Sequence, residues 1–472
     1  MRGESSSADA TIAKAWAARP TEKMVVLDDD PTGCQTVHDV PVWFDWDEDT
    51  LRSALSGPHQ LFYILTNIRS VSSGEAEARH RVIAARLQSL AVELGVKVHI
   101  ISRSDSTLRG HFPADVKPFW DSRENHQVPA AILLIPAFFE GGRYTFHGTH
   151  YVVQGNECLP AHETEFAKDR AFGFKSAYLP EWVAEKWPSQ QGKVKVLSIE
   201  TIREGAAAVS RFLAEAENLQ IIAVDALDDS DLEVVALACL EQQANGKEFL
   251  FRTAASFVRA YGGLKKQSLL KAESLVQSSA AGAGGLVVVG SYVAKTTAQL
   301  EKLLELPELV TIELDVARIV GGHAAAEVAR AIEDISAALT AGRDVVCYTS
   351  RKLWNANSAE ESLHVGRAVA DAVNAVVSGL TARPSFLVAK GGITSHEVAQ
   401  IGLGVKRTWV LGQIASGVPV WELRSESKWP GLAYVVFPGN VGAKETLAEV
   451  VRELQAAREH RNTRSFASEA NG

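Results

Sequence analysis

Two α/β domains, each on a mostly parallel sheet and with an active-site cleft between them, are the fold class this sequence predicts. Three observations carry it. Short apolar runs rich in Val, Ile and Leu alternate with longer stretches of helical period, the pattern of parallel strands covered by helices. At 472 residues the chain has room for two ordinary domains. Its 46% hydrophobic and 22% charged residues are an average globular composition, sufficient for a sizeable core.

The elements follow in order. The first half predicts strands at 24–27, 61–65, 98–101, 130–135, 194–199 and 221–224. Between the second and third, 74–94 predicts a helix with an apolar stripe of Val82, Ile83, Leu87, Leu90 and Leu94. From about 228 to 281 the period is helical without an obvious strand, and the small-residue run 278–285 reads as the interdomain connection. Strands resume at 286–289, 309–314, 345–348, 386–389, 409–411 and 434–437. The division is therefore an N-terminal domain over 1–245, a helical or linker segment over 246–285, a C-terminal domain over 286–461 and a loose tail over 462–472, with the polar stretch 2–9 also loose.

Charge and cysteine usage narrow the function classes. Lys and Arg number 48 against 57 Asp and Glu, a net charge of −9, and no basic run marks a nucleic-acid face. Cys34, Cys158, Cys239 and Cys347 are far apart, with neither zinc-ligand spacing nor a disulfide framework. The N-terminus lacks the apolar core of a signal peptide, and no apolar stretch is long enough to span a bilayer. The expectation is a soluble cytoplasmic protein with small-molecule ligands, no nucleic-acid or membrane partner, and a homodimer as the default oligomer.

Polar clusters follow the strands. Asp28, Asp29, Asp30, Pro31, Thr32 and Gly33 follow the first, where ligands of open α/β sheets bind; adjacent acids repel unless they meet a cation or a hydroxyl, although a solvated turn reads equally well. Ser102 to Gly110 follow the third, and Arg103 and Arg109 are suited to a carboxylate while Asp105 and Ser106 suit sugar hydroxyls; the alternative is a capped helix with a surface ion pair. Glu140 to His150, with Arg143, His147 and His150, follow the fourth and offer material for the same pocket, with metal binding disfavoured because no acid sits at helical spacing. In the second half Gly290 and Ser291, Lys390 to Ser395, and Pro438 to Gly442 follow three strands. Glycines there let backbone amides approach phosphate, and a helix starting at Ser395 would point its positive end at them; the plainer reading is glycines ending strands. GxxxxGK[ST], GxSxG and HExxH are absent, which removes P-loop, serine hydrolase and zinc protease readings.

Asp29-Asp30-Pro31-Thr32-Gly33, Asp105 to Gly110 and Gly391-Gly392-Ile393-Thr394-Ser395, in that order, resemble the four-carbon acid sugar kinase family, and the likeness extends through Gly142, Arg143, Gly148, Gly290, Ser291, Thr297 and 439–442. The resemblance implies an N-terminal acid-sugar-binding domain, a C-terminal nucleotide-binding domain, and ATP-dependent phosphorylation of the terminal hydroxyl of threonate, erythronate or a 3-oxo-tetronate. It implies that Asp29, Asp30, Arg103, Asp105, Ser106, Arg109 and Arg143 face the acid sugar; phosphoryl transfer also needs a group to accept the hydroxyl proton, and Asp30 or Asp105 is the expected catalytic base. Ser291, Gly391, Gly392, Thr394, Gly439, Asn440 and Gly442 would bind ATP. Mg2+ is expected with ATP, its protein ligands unassigned, because Ile393 stands where relatives carry an acid.

Two rival readings use the same residues. Asp28 and Asp30 in Asp28-Asp29-Asp30-Pro31-Thr32 fit the DxDxT pattern of haloacid-dehalogenase-type phosphatases, with Leu65 and Thr66 imitating a second motif; no convincing lysine follows, and Asp225, Asp228 and Asp229 are poorly spaced for a metal pair. Ile393 alone points to a non-catalytic acid-sugar sensor.

Overall fold

The computed structural model describes residues 5–121, 128–276, 283–351 and 359–469. The chain forms two compact units, Met1–Gln267 and Ser268–Gly472.

The first unit contains strands β1 (Glu22–Asp28), β2 (Val40–Trp43), β3 (Leu61–Leu65), β4 (Lys97–Arg103), β5 (Ala131–Ile135), β6 (Arg143–Phe146), β7 (Thr149–Gln154), β8 (Glu157–Pro160), β9 (Lys195–Leu197), β10 (Gln220–Val224) and β11 (Phe249–Thr253). Eight of them form a sheet in the order β2-β3-β1-β4-β11-β5-β10-β9, in which every pairing is parallel. The central strands are buried along nearly all of their length, as in a parallel sheet covered by helices on both faces. From β1 the chain passes out to β2 at the edge, comes back to β3 beside β1, and then places β4 on the other side of β1, so the connections change sides at β1/β4. That reversal opens a crevice at the carboxyl ends of β1 and β4. Register sets Asp28 opposite both Leu65 and Arg103. The meander β6-β7-β8 forms a separate antiparallel sheet.

The second unit holds β12 (Leu286–Val289), β13 (Val310–Leu314), β14 (Val345–Thr349), β15 (Leu387–Lys390), β16 (Arg407–Ala415), β17 (Val418–Leu423) and β18 (Ala433–Phe437), in the order β13-β14-β12-β15-β18-β17-β16. Pairings from β13 to β18 are parallel, and β18-β17-β16 is antiparallel. The same reversal recurs at β12/β15, where Val289 lies opposite Lys390.

Several expectations need correction. β11 lies within the stretch read as helical, and its residues Phe-Leu-Phe-Arg-Thr are all buried between β4 and β5. A five-residue aromatic run between two helices carries too few turns of either period to declare itself. In the helix Ser73–Leu94, Val82 is exposed, and Ala76 and His80 join Ile83, Leu87 and Leu90 in facing the core. The segment after β9 turns helical at Ile199–Arg203, shortening the expected strand. Of the stretches expected to be loose, 5–9 and 462–469 belong to the helices Ser5–Ala17 and Thr446–Glu469. Of the expected linker, 277–282 lies outside the described residues, whereas Gly285 is packed so tightly that a Cβ there would fall 2.0 Å from the Phe386 ring.

Candidate active site

At the β1/β4 crevice the acids and guanidinium groups fall into two layers. The buried layer contains Asp28, Asp29 and Arg103. Arg103 Nη1 reaches Asp28 Oδ1 at 3.2 Å and Asp29 Oδ1 at 3.4 Å, and Ser104 Oγ donates to Asp29 Oδ2 at 3.0 Å. Ser104 is in turn held by Arg252 of β11, whose Nη2 donates to it at 3.1 Å while Nε donates to Asp115 Oδ2 at 2.8 Å. Burial pushes Asp28 up to about 8 despite the opposing Arg103 charge, and burial also raises Asp29. A Cβ at Gly33 would fall 2.0 Å from the Asp28 carboxylate, so the chain turns directly over this side chain.

The outer layer is organised by Arg69. It lies in a short 3-10 turn, Ile68–Ser70, after β3, introduced by Asn67 in the left-handed region at φ 48°. Its Nη2 pairs with Asp30 Oδ2 and its Nη1 with Asp105 Oδ1 at 2.8 Å, so one guanidinium bridges the polar segments that follow β1 and β4. Asp30 Oδ1 also accepts from Thr32 N at 2.8 Å and from Thr32 Oγ1. Asp105 accepts from Arg109 Nε at 2.9 Å and Nη2 at 3.1 Å, from Thr107 N at 3.1 Å and from Thr107 Oγ1. Burial opposes ionisation of both acids, but Arg69 and the Thr32 bonds outweigh it at Asp30, and Arg109 and Arg69 at Asp105. Both are held below the usual carboxylate range.

Beside these acids stand two guanidinium groups on one aromatic ring. Arg109 and Arg143 lie 5.1 and 5.7 Å from the centroid of Phe166. Arg143 is 7% exposed, and among the described residues its Nε has no hydrogen-bond partner. Burial lowers its pKa, with Asp105 the largest opposing charge. The Ser106 carbonyl accepts from His150 Nε2 at 2.8 Å, while His150 Nδ1 meets Thr145 Oγ1 at 3.0 Å; burial pushes His150 down to about 4. This histidine fastens the loop after β4 to the meander, and His147 pairs with Glu200 at 2.7 Å. Asp225 accepts from the backbone N–H groups of His147, Gly148 and Ile199, and Asp228 caps the helix Asp229–Ala244. Thr66 Oγ1 donates to the main-chain carbonyl of Asp28 at 2.8 Å and so ties β1 to β3, while the Asp28 carboxylate is buried against Arg103.

In the second unit three turns meet at the β12/β15 reversal. A Cβ on Gly391, whose φ is 111°, would lie 2.7 Å from Ser291 Cβ, and one on Gly290 would lie 2.5 Å from Thr394 Oγ1. A Cβ on Gly439 would lie 3.7 Å from Ser291 Oγ. The structure thus brings Ser291, Gly391, Thr394 and Gly439 together, with Asn440 and Gly442 continuing the same loop after β18. The helix begins at Gly392, capped by Gly391, and not at Ser395, because Ser395 Oγ donates back to Ala389 O at 2.9 Å from inside the first turn. Ile393 is 56% exposed. Arg351 Nη1 donates to Ser291 O at 2.8 Å, and its Nη2 donates to Thr297 Oγ1 at 2.5 Å.

Sequence reasoning missed Arg69, Arg252 and Phe166, whose roles depend on contacts distant along the chain. The one sequence signal for Arg69 is its place in the polar stretch Thr66-Asn67-Ile68-Arg69-Ser70 at the end of a strand. Among the described residues, no group of three or more His, Cys, Asp or Glu side chains is placed to hold a metal ion, and no helix is long and apolar enough to cross a membrane.

The chain matches two family models, a sugar-binding N-terminal domain over residues 24–261 and a nucleotide-binding C-terminal domain over residues 286–447. It is 26% identical to the D-threonate kinase of Salmonella typhimurium over 92% of this chain and 98% of that one. It is also 26% identical to the 3-oxo-tetronate kinase of Methylobacterium radiotolerans, over 80% of this chain and 85% of that one. Its fold is shared with crystal structures of a Haemophilus influenzae protein (TM-score 0.59, 19% identity, covering 91% of this chain and 99% of that one) and a Salmonella typhimurium protein (TM-score 0.63, 17% identity, 92% and 100%).

Proposed function

Because the chain belongs to the four-carbon acid sugar kinase family, and is thus a kinase with an alcohol acceptor, we propose that it transfers the γ-phosphate of ATP to the terminal hydroxyl of threonate, erythronate or a 3-oxo-tetronate. The first unit takes the acid sugar and the second takes the nucleotide. The observation that carries this reading is Arg143, a buried guanidinium beside Arg109 on the Phe166 ring whose Nε has no partner among the described residues. A buried cation of this kind is costly unless an anion completes it, and a carboxylate accepts from two guanidinium groups at once.

The polar network then orders the hydroxyls. Asp105 receives its donors from Arg69, Arg109 and Thr107, so its role is to hold the two arginines in place. Asp30 is the better base: it stays ionised through Arg69 and lies in the outer layer. Little proton affinity is needed, because the transferring phosphoryl group departs through a loose transition state and the acceptor proton leaves late. Orientation of the hydroxyl is the larger contribution. In the second unit the close approach at Gly290 and Gly391 leaves backbone where a side chain would otherwise stand, a surface suited to phosphate oxygens. Mg2+ accompanies ATP and supplies charge neutralisation to the phosphates. Among the described residues no cluster of His, Cys, Asp or Glu side chains is placed to hold it.

Calorimetric titration with D- and L-threonate, D- and L-erythronate and the 3-oxo-tetronates tests the acid-sugar assignment. One of these acids is expected to bind, and Arg143→Met to weaken it at least tenfold, about the loss of one charge-assisted hydrogen bond. Equal affinity in wild type and variant would overturn the role of Arg143, and absence of binding by every acid would overturn the substrate class.

A further inference from the structure

We propose that Lys390 is a positioning residue that turns the loop after β18 so that its backbone N–H groups face the phosphates of the nucleotide; this rests on the assignment of nucleotide to the second unit. Lys390 ends β15, is 0% exposed, and no acid pairs with it among the described residues. Its ammonium donates to the carbonyl of Pro438 and lies 4.4 Å from the centroid of the Phe437 ring.

Lys390 acts with a set of donors along the same loop. Thr296 Oγ1 donates to Gly439 O at 3.4 Å and Lys295 Nζ to Asn440 O at 3.3 Å. Gln299 Nε2 donates to Val441 O at 3.0 Å and to Ala443 O at 2.8 Å. The last three donors come from one helix, Ala294–Leu304. In a planar trans peptide the C=O of one residue and the N–H of the next point in opposite directions. Holding the Pro438 carbonyl therefore fixes the direction of the Gly439 N–H, holding Gly439 O fixes that of Asn440, and holding Val441 O fixes that of Gly442.

These three N–H groups have no acceptor among the described residues. Donors that are fixed in direction, unsatisfied and partly open to solvent form an anion site, and the adjoining turns at Ser291 and Gly391 make its neighbourhood that of the expected phosphates. A neutral amide would hold the Pro438 carbonyl in a merely structural loop. A buried ammonium adds positive potential at the place where an oligophosphate would bring negative charge.

The test uses the full chain, with ADP as the calorimetric probe and steady-state kinetics alongside. Lys390→Met is expected to raise the ADP dissociation constant and the KM for ATP by about tenfold or more, the loss of a charge-assisted hydrogen bond. The KM for the acid sugar should stay at its wild-type value, a separation that general damage to the protein would not produce. Thr296→Val, which keeps the side-chain shape, should shift the ADP dissociation constant in the same direction. Wild-type affinity for ADP in both variants would overturn the role of Lys390 and leave the nucleotide assignment standing. Absence of ADP and ATP binding to the wild-type protein would overturn that assignment and the inference with it. If Lys390→Met does not fold, Thr296→Val and Lys295→Met decide, and unchanged ADP affinity in both refutes the inference.

Discussion

Replacing Arg69 by methionine removes the guanidinium that joins Asp30 to Asp105. The side chains are 18%, 16% and 8% exposed, so neither acid regains full hydration when the cation is lost. Removing one partner of a buried pair costs about 3–5 kcal/mol, and the residual solvent access of Asp30 places the expected loss near the lower bound, about 3 kcal/mol. Asp105 keeps Arg109, whereas Asp30 keeps its Thr32 bonds and the charge of Arg103, with which it forms no ion pair. Burial then dominates at Asp30, and its pKa moves up from below the ordinary carboxylate range. If Asp30 must be ionised to accept the proton, turnover by Arg69→Met falls towards acid pH and recovers as pH rises, in a range where wild-type Asp30 is already ionised. Urea unfolding of Arg69→Met, Asp30→Asn and the double variant reads the stability, and a pH–rate profile reads the base. A coupling energy of about 1–3 kcal/mol between the two positions is expected for groups in direct contact. Additive stabilities, or parallel pH profiles for wild type and Arg69→Met, would refute the bridge and the ionisation argument respectively.

Other expectations follow from the same geometry. Asp28 holds its proton in the folded state to about pH 8 against an ordinary value of 3.8, so the folded state binds more protons between these limits and stability declines as pH rises through them. Asp28→Asn should flatten that slope in thermal melts at pH 5 and pH 8, and an unchanged slope would assign it to another group. Gly391→Ala places a Cβ 2.7 Å from Ser291 at a φ of 111° and should weaken ADP binding in calorimetry while leaving acid-sugar binding intact; equal loss of both would contradict the division of labour.

Much of the fold was legible because a strand buried on both faces is a short apolar run. Leu61–Leu65 and Leu286–Val289 have the limits their composition predicts. β11 escaped because Arg252 and Thr253 make two of its five residues look polar, and only the fold shows that Arg252 is buried against Asp115 and the rings of Phe112 and Trp182. The meander β6-β7-β8 was hidden in a glycine- and histidine-rich stretch that reads as a loop.

The candidate site was legible as positions at strand ends and not as contacts. Asp28 to Asp30 appear in sequence as three equivalent acids, yet β1 ends at Asp28 and the chain turns over it at Gly33, so that Asp28 and Asp29 meet Arg103 under the site and Asp30 meets Arg69 in its outer layer. Arg69 is one arginine in a polar turn, and nothing local marks it as the bridge between Asp30 and Asp105, the nearer of which is 36 residues away from it. Lys390 sits beside the glycine pair that the sequence singled out, but its burial and its bond to Pro438 depend on β18.

The measurement that tests the central claim most directly is ADP release by the purified protein with Mg-ATP, across D- and L-threonate, D- and L-erythronate and the 3-oxo-tetronates. ADP formation that requires one of these acids, and that falls by about two orders of magnitude or more in Asp30→Asn, is the predicted result. Phosphate release from a phosphorylated sugar acid without ATP, or binding of an acid without any ADP formation, would contradict it.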